Sequence, residues 1–160
     1  MDDARTVADR FYTAFAARDA ERMAACYADD VSFSDPAFPD LRGEGARDMW
    51  RMLCARGKDL RVEHQVIEAT AGRVRVRWQA WYTFHGGFSG TGRAVHNDIQ
   101  AELEVRDGTI VRHRDEFSVP RWARQALGPV GLLLGWTPFL KRKVQAQAAL
   151  ALEKFRAARR

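Results

Sequence analysis

RAVHNDIQAELEVRDGTIVRHRDEFS, residues 93–118, is the stretch on which the fold turns. It predicts two long β-strands folded back at Asp107-Gly108, because Asp-Gly between alternating apolar runs favours a tight hairpin. In the first strand Ile99, Ala101, Leu103 and Val105 alternate with Asp98, Gln100, Glu102 and Glu104, the pattern of a strand with one wet face. In the second, Val111, His113, Asp115 and Phe117 share one face, while Ile110, Arg112, Arg114 and Glu116 share the other. Either face buries ionisable groups, which then need partners. A strict two-residue turn pairs Val105 with Ile110 and carries Arg112 and Arg114 inward. A loop one residue longer pairs Val105 with Val111, Leu103 with His113, Ala101 with Asp115 and Ile99 with Phe117. The longer loop is the expected one, with Gly108 left-handed or bulged, since it hides one His and one Asp instead of two Arg and a Glu.

Upstream lies a second strand pair. Residues 60–70, with Val62, His64 and Val66 on one side, turn at Ala71-Gly72. Residues 73–85 follow, setting Val74, Val76, Trp78, Ala80, Tyr82 and Phe84 against Arg73, Arg75, Arg77 and Gln79. The glycine-rich loop 86–92 joins two strands with no helix after it, so it is expected to be a flexible connection and not a phosphate cradle. Residues 4–18 predict an amphipathic helix on Val7, Phe11 and Phe15, and Asp19 caps a short one over 20–27 with Met23 and Tyr27 inward. A short strand, Val31-Ser32-Phe33-Ser34, then leads into Asp35-Pro36. Parity puts Asp35 in phase with Val31 and Phe33, at the mouth of the strand. Its plainer role is a turn Asp bonded to nearby amides. A third helix runs from Ala46 to about Arg56, with Ala46, Trp50, Leu53 and Cys54 as its stripe.

The chain of 160 residues carries a net charge of +5, but unevenly. Residues 119–160 hold nine Lys or Arg against Glu153 alone, a net of +8, which leaves −3 on residues 1–118. A nucleic-acid site across the main body is therefore not expected. The N-terminus is acidic without an apolar core, and no run approaches the ~20 apolar residues of a membrane span. Cys26 and Cys54 suit a reducing, cytoplasmic setting, and the His and Cys residues lack metal-ligand spacing, so neither metal nor cofactor is expected.

Helices segregated from a meandering sheet make an α+β cone. Phe11-Tyr12, the run Tyr27-Ala28-Asp29-Asp30-Val31-Ser32-Phe33-Ser34-Asp35-Pro36, and Asp107-Gly108-Thr109-Ile110 followed by His113 to Phe117 resemble the nuclear transport factor 2-like superfamily, in its SnoaL-like and ketosteroid-isomerase-like branch. The resemblance covers about residues 5–118. It implies N-terminal helices packed on a curved, mostly antiparallel sheet, an apolar pocket open at one end, and a homodimer through the outer sheet face. The branch's catalytic base corresponds to Asp35. Its oxyanion tyrosine falls on Phe11, with Tyr12 about 100° round the helix, and its second oxyanion donor falls near Ala101, so a classical ketosteroid isomerase is not expected. The branch's inward aromatic corresponds to Phe117.

Asp35, His113 and Asp115 are thus the expected catalytic set: Asp35 takes a proton beside a carbonyl, His113 protonates or polarises an oxygen, and Asp115 orients the imidazole. Phe11, Tyr12, Phe33, Trp50, His64, Trp78, Tyr82, Asn97 and Phe117 are expected to line the pocket. Cofactor-free isomerisation, cyclisation or dehydration of an apolar, cyclic or polyketide-like compound would suit this set. The alternative is a non-catalytic member that binds a small apolar ligand or is purely structural, with His113 and Asp115 as one buried pair fixing the strand. Residues 1–118 form the expected domain and 119–160 a basic, amphipathic helical extension. The extension comprises a helical stretch over 121–134 broken at Pro129 and a last helix from Pro138. Its expected role is to pack on the domain or lid it. The alternative is peripheral membrane contact through Trp122, Trp136, Phe139 and Leu132-Leu133-Leu134.

Overall fold

The computed structural model describes residues 2–86 and 92–160, so most of the glycine-rich loop lies outside the described residues. Helices α1 (Ala4–Ala16) and α2 (Ala20–Ala25) lead into strand β1 (Tyr27–Ser34) and the short β2 (Leu41–Arg42). Helix α3 (Glu44–Arg56) precedes the long strands β3 (Arg61–Ala69), β4 (Arg73–Phe84), β5 (Arg93–Arg106) and β6 (Thr109–Glu116). Helices α4 (Val119–Leu127), α5 (Pro129–Leu134) and α6 (Pro138–Ala158) complete the chain. The strands form one sheet in the order β2-β1-β6-β5-β4-β3, antiparallel throughout except for the parallel pair β1 and β6. This is the expected α+β cone. Asp3 and Asp19 cap α1 and α2 through their carboxylates, and α1 sends Val7, Phe11 and Phe15 into the core formed with the inner faces of β4 and β5.

The hairpin register corrects the sequence reading in one respect. Val105 pairs with Ile110 and Arg106 with Thr109, so the turn is the strict two-residue one, with Asp107 and Gly108 both at positive φ (53° and 77°). A bulge follows at once: Glu104 pairs with Arg112, leaving Val111 as the extra residue, and Leu103 pairs with His113 and Ala101 with Asp115. The parity change assigned to the loop is made inside the strand. His113 and Asp115 still point inward, and Arg112 and Arg114 outward.

Three boundaries also differ. Helix α2 stops at Ala25, and Tyr27 opens β1, where it pairs with Ile110. Leu53 is exposed on α3, and Met49 and Met52 take the buried positions. The helical stretch 121–134 divides at Gly128 (φ 66°), just before Pro129.

The C-terminal helices touch the sheet at defined points. Beyond Gln100 the strand β5 outruns β6 and leaves an open edge. Helix α4 covers that edge with a side chain acting as backbone: Gln125 accepts from the His96 N–H (2.8 Å) and donates to the His96 carbonyl (3.1 Å). Helix α6 buries Leu140 and Leu152, packs Ala148, Ala151 and Phe155 on the core, and ties back through Arg156 Nε to Asp48 Oδ2 (3.0 Å) and Gln145 to the Pro36 carbonyl (3.1 Å).

Helices α4 and α5 approach so closely that a Cβ on Gly131 would overlap the Ala123 carbonyl, which is backbone and cannot swing aside. Gly131→Ala should therefore lower stability by about 1–3 kcal/mol, as overpacking does, measured by chemical denaturation of the purified chain.

Candidate functional site

His113 sits at the centre of the cone with no exposed surface, and Asp115 is almost as deeply buried. Phe11 and Phe33 meet the imidazole edge-on at 5.4 and 5.0 Å between ring centres, and Trp50 stacks on it at 5.8 Å. Both ring nitrogens have partners. Trp50 Nε1 donates to the Tyr27 hydroxyl (2.7 Å), and that hydroxyl is hydrogen-bonded to His113 Nδ1 (2.8 Å). On the other side Nε2 is hydrogen-bonded to Asp115 Oδ1 (2.9 Å), and Trp78 Nε1 donates to that oxygen (3.3 Å). The Tyr12 hydroxyl stands 3.4 Å from Nε2. Burial pushes both Tyr12 and Tyr27 well above the ordinary tyrosine range, so both hydroxyls stay protonated. Among the described residues no buried side-chain polar atom lacks a partner.

Asp35 differs in kind. The parallel pairing of Ser34 with Arg114 brings it beside Asp115 at the strand ends. Its Oδ1 accepts the backbone N–H groups of Ala37 (2.7 Å) and Phe38 (2.6 Å), the turn geometry that Asp before proline favours, and Oδ2 takes part in neither bond. Asp35 keeps some surface as a residue, yet loss of water around the carboxyl raises its pKa from 3.8 to about 7. The neighbouring charge of Asp115 adds to the rise, and the two amides and His113 oppose it.

Tyr82, Asn97 and Phe117 are all half-buried, and Tyr82 lies near enough to Asp35 to feel its charge. The Tyr82 hydroxyl accepts from Trp122 Nε1 of α4 (2.8 Å), and burial pushes its pKa up to about 12. Trp122 also meets Phe84 edge-on. It is packed against the domain, and so is not among the side chains free to insert elsewhere.

The residues expected from sequence therefore fall into two sets. Phe11, Tyr12, Phe33, Trp50, Trp78, His113 and Asp115 share one buried cluster, while Asp35, Tyr82, Asn97 and Phe117 are only half-buried, Tyr82 and Phe117 packing against the core. His64 belongs to neither: it stacks on Tyr12 (5.3 Å) but its Nε2 bonds Asp9 Oδ1 (2.8 Å) at the rim. Tyr27, which bonds the imidazole, continues the helical spacing of α2 in the sequence but opens β1 in the fold. Its signal was the indole of Trp50, which needs a buried acceptor. Two open grooves of about 500 Å³ lie elsewhere. One is on the outer sheet face among Arg73, Arg75, Arg112, Arg114, Glu102 and Glu104; the other lies between α6 and residues 37–41. Neither is lined by Asp35, His113 or Asp115.

Residues 8–113 match the family model of the SnoaL-like domain. No curated protein matches the chain. Among solved structures, a candidate polyketide cyclase from Xanthomonas campestris is similar at 22% identity and a TM-score of 0.66, over 77% of this chain and 96% of that one. TsrD from Streptomyces laurentii is similar at 21% identity and a TM-score of 0.65, over 80% and 98%. An LEH-like epoxide hydrolase of M. tuberculosis is similar at 20% identity and a TM-score of 0.59, over 84% and 92%. At these identities the likeness is one of fold.

Two stability predictions follow from the bonding. Tyr27→Phe removes one oxygen but strands both Trp50 Nε1 and His113 Nδ1, so it should cost about 2–4 kcal/mol in chemical denaturation. For Asp35, the folded pKa of about 7 exceeds the ordinary 3.8. Between those values the native state keeps a proton that the unfolded chain releases, so stability falls as pH rises through the window. Asp35→Asn should flatten that fall, matching the wild type below about pH 4 and exceeding it above about pH 7 by at most about 4 kcal/mol, read from denaturation midpoints across pH.

Proposed function

This chain belongs to the SnoaL-like family, and on that premise we propose that it is a cofactor-independent acid–base protein acting on an apolar, cyclic or polyketide-like carbonyl compound, with Asp35 as the group that exchanges the proton. The observation that carries this reading is the Asp35 carboxyl: raised to about 7 by loss of water, anchored through one oxygen by two amides, and within reach of the charges of Asp115 and His113. A base poised near the operating pH takes and returns a proton most effectively. Its fixed Oδ1 aims Oδ2 at the proton to be removed, which is the geometry an α-proton abstraction needs. His113 and Asp115 stand directly behind it, and the carboxylate of Asp115 is one of the charges that tune Asp35. Phe11 and Ala101 stand where a ketosteroid isomerase would have its oxyanion donors. Tyr82, half-buried and protonated, is the donor nearest in kind at this mouth.

In the same reading, residues 1–118 are the SnoaL-like domain and 119–160 the cover of its mouth. Trp122 on Tyr82 and Gln145 on the Pro36 carbonyl support that assignment. A ligand then reaches Asp35 when this cover shifts. The chain works as a cytoplasmic homodimer through the outer sheet face. The mixture of arginines and glutamates there, which a two-fold axis can pair with itself, supports the dimer, and the unpaired Cys26 and Cys54 support the compartment.

The rival reading is a binding or structural protein without turnover. It draws on the His113 cluster, in which every buried side-chain polar atom already has a partner within the protein.

Proton exchange separates the two. In heavy water, cyclic and polyketide-like ketones should exchange their α-protons in the presence of the wild type, followed by NMR. The rate should climb with pH and level off above about 7. Asp35→Asn should lower it by about a hundredfold or more while the circular dichroism spectrum is kept. Saturable binding with no exchange would favour the rival, and full exchange by Asp35→Asn would remove Asp35 from the chemistry.

A further inference from the structure

The largest exposed apolar side chains of the C-terminal extension gather where α5 passes into α6. Leu132, Leu133, Trp136 and Phe139 are 61, 69, 72 and 59% exposed. Charge shapes the same region. From Phe117 to Leu152 there is no Asp or Glu, while Arg121, Arg124, Lys141, Arg142 and Lys143 fall inside it. Phe139 and Arg142 are three residues apart on α6, and therefore on one helix face. The backbone of Arg124 lies against Gly131, which brings a further exposed cation beside α5.

The second observation concerns polar groups. Trp136 is the most exposed of these side chains, yet its indole N–H is spent internally on the Leu133 carbonyl (2.9 Å). The Leu134 carbonyl accepts both the N–H (2.9 Å) and the hydroxyl (2.6 Å) of Thr137, and the Gly131 carbonyl accepts the Gly135 N–H (2.8 Å). The Thr137 hydroxyl also caps α6 at the Leu140 N–H (3.2 Å). Such bonds are ordinary in turns and at helix ends, and they leave these groups already paired, whereas in hydrocarbon each group left unpaired would cost several kcal/mol. The segment thus presents exposed apolar side chains whose neighbouring polar groups are already bonded, with exposed cations close by in sequence.

We propose that this tip docks the protein on an anionic lipid surface. Leu132, Leu133, Trp136 and Phe139 enter the headgroup boundary, and Lys141, Arg142 and Arg124 sit at the level of the lipid phosphates. No helix of the described residues is long and apolar enough to cross a membrane, so the contact is peripheral. The docked segment is the same one that joins α4, on the mouth at Tyr82, to α6, on the Pro36 carbonyl. A hydrophobic ligand carried in the bilayer would arrive beside the cover of the candidate site.

The test is co-sedimentation of the full chain with phosphatidylcholine vesicles, with and without phosphatidylglycerol. The wild type should sediment with the anionic vesicles, stay in solution with phosphatidylcholine alone, and be released by high salt. Leu133→Ser combined with Trp136→Ser should abolish the binding. Lys141→Ala combined with Arg142→Ala should lower the partition coefficient by about tenfold or more. All four side chains are exposed, and unchanged thermal melting will establish that each variant is folded. Three results would overturn the proposal: no sedimentation with anionic vesicles, binding that survives both double variants, or light scattering in which the Leu133→Ser and Trp136→Ser chain is a smaller assembly than the wild type. The last would assign the tip to a second copy of this chain.

Discussion

Everything inside the cone depends on one buried pair, His113 with Asp115. Ionisable groups in an apolar core are costly, and they persist only when each donor and acceptor has a partner. Here the partners come from four separate elements. Trp50 belongs to α3, Tyr27 to β1, Tyr12 to α1 and Trp78 to β4, and the pair itself to β6. A network of this type constrains the packing more tightly than apolar contacts do, because a displacement of about an ångström that a leucine would tolerate breaks a hydrogen bond. The sheet cannot slip against α1 or α3 without breaking a bond at His113. The bulge at Val111 is the local device that makes the arrangement attainable, since it turns the following residues over and brings His113 and Asp115 inward.

That device marks where sequence stops being informative. The alternation of Val111, His113, Asp115 and Phe117 allowed the inward face to be chosen by comparing the groups each face would bury. A longer loop and a tight turn followed by a bulge give the same parity beyond Val111. They differ in whether Val105 faces Ile110 or Val111 and in the conformation of Asp107, which is left-handed here, and Asp is one of the few non-glycine residues that adopts it readily. Tyr27 is a different kind of miss. Cys26 and Tyr27 continue the apolar spacing of α2, so local periodicity extends the helix through them. What converts Tyr27 to strand is the pairing with Ile110, more than eighty residues away, and the demand of Trp50 and His113 for a hydroxyl between them. Strands, helices and the inner face were legible because they rest on local pattern, whereas the hydrogen-bond partners were not, because they are set by tertiary contact.

The expected catalytic triad divides along the same physical line. His113 and Asp115 satisfy each other and their neighbours, and the imidazole reaches no solvent. Asp35 is incompletely satisfied: two amides hold one oxygen, burial opposes its charge, and Asp115 repels it. The stability that the turn at Pro36 gains from those amides is partly spent in carrying a carboxylate where water is scarce. Such local cost is what functional sites commonly show. The pair behind it then contributes by holding a negative charge at a fixed distance, so that rigidity in the core becomes a steady field at the mouth.

The C-terminal extension joins the mouth to the outside. In the sequence, residues 119–160 are one basic, apolar segment that suits either packing or membrane contact. In the fold, its residues separate by direction. Trp122, Gln125, Leu140, Gln145 and Leu152 point at the domain, while Leu132, Leu133, Trp136 and Phe139 point away. The close crossing of α4 and α5 at Gly131 fixes that separation, because it locks the outward tip to the helix that carries Trp122. An extension that merely filled the mouth would have no reason to keep its largest apolar side chains in water. An extension that merely anchored would have no reason to bond Tyr82 and the Pro36 carbonyl beside Asp35. One segment thus carries both sets, the inward bonds on Tyr82 and the Pro36 carbonyl and the outward apolar side chains, separated by direction.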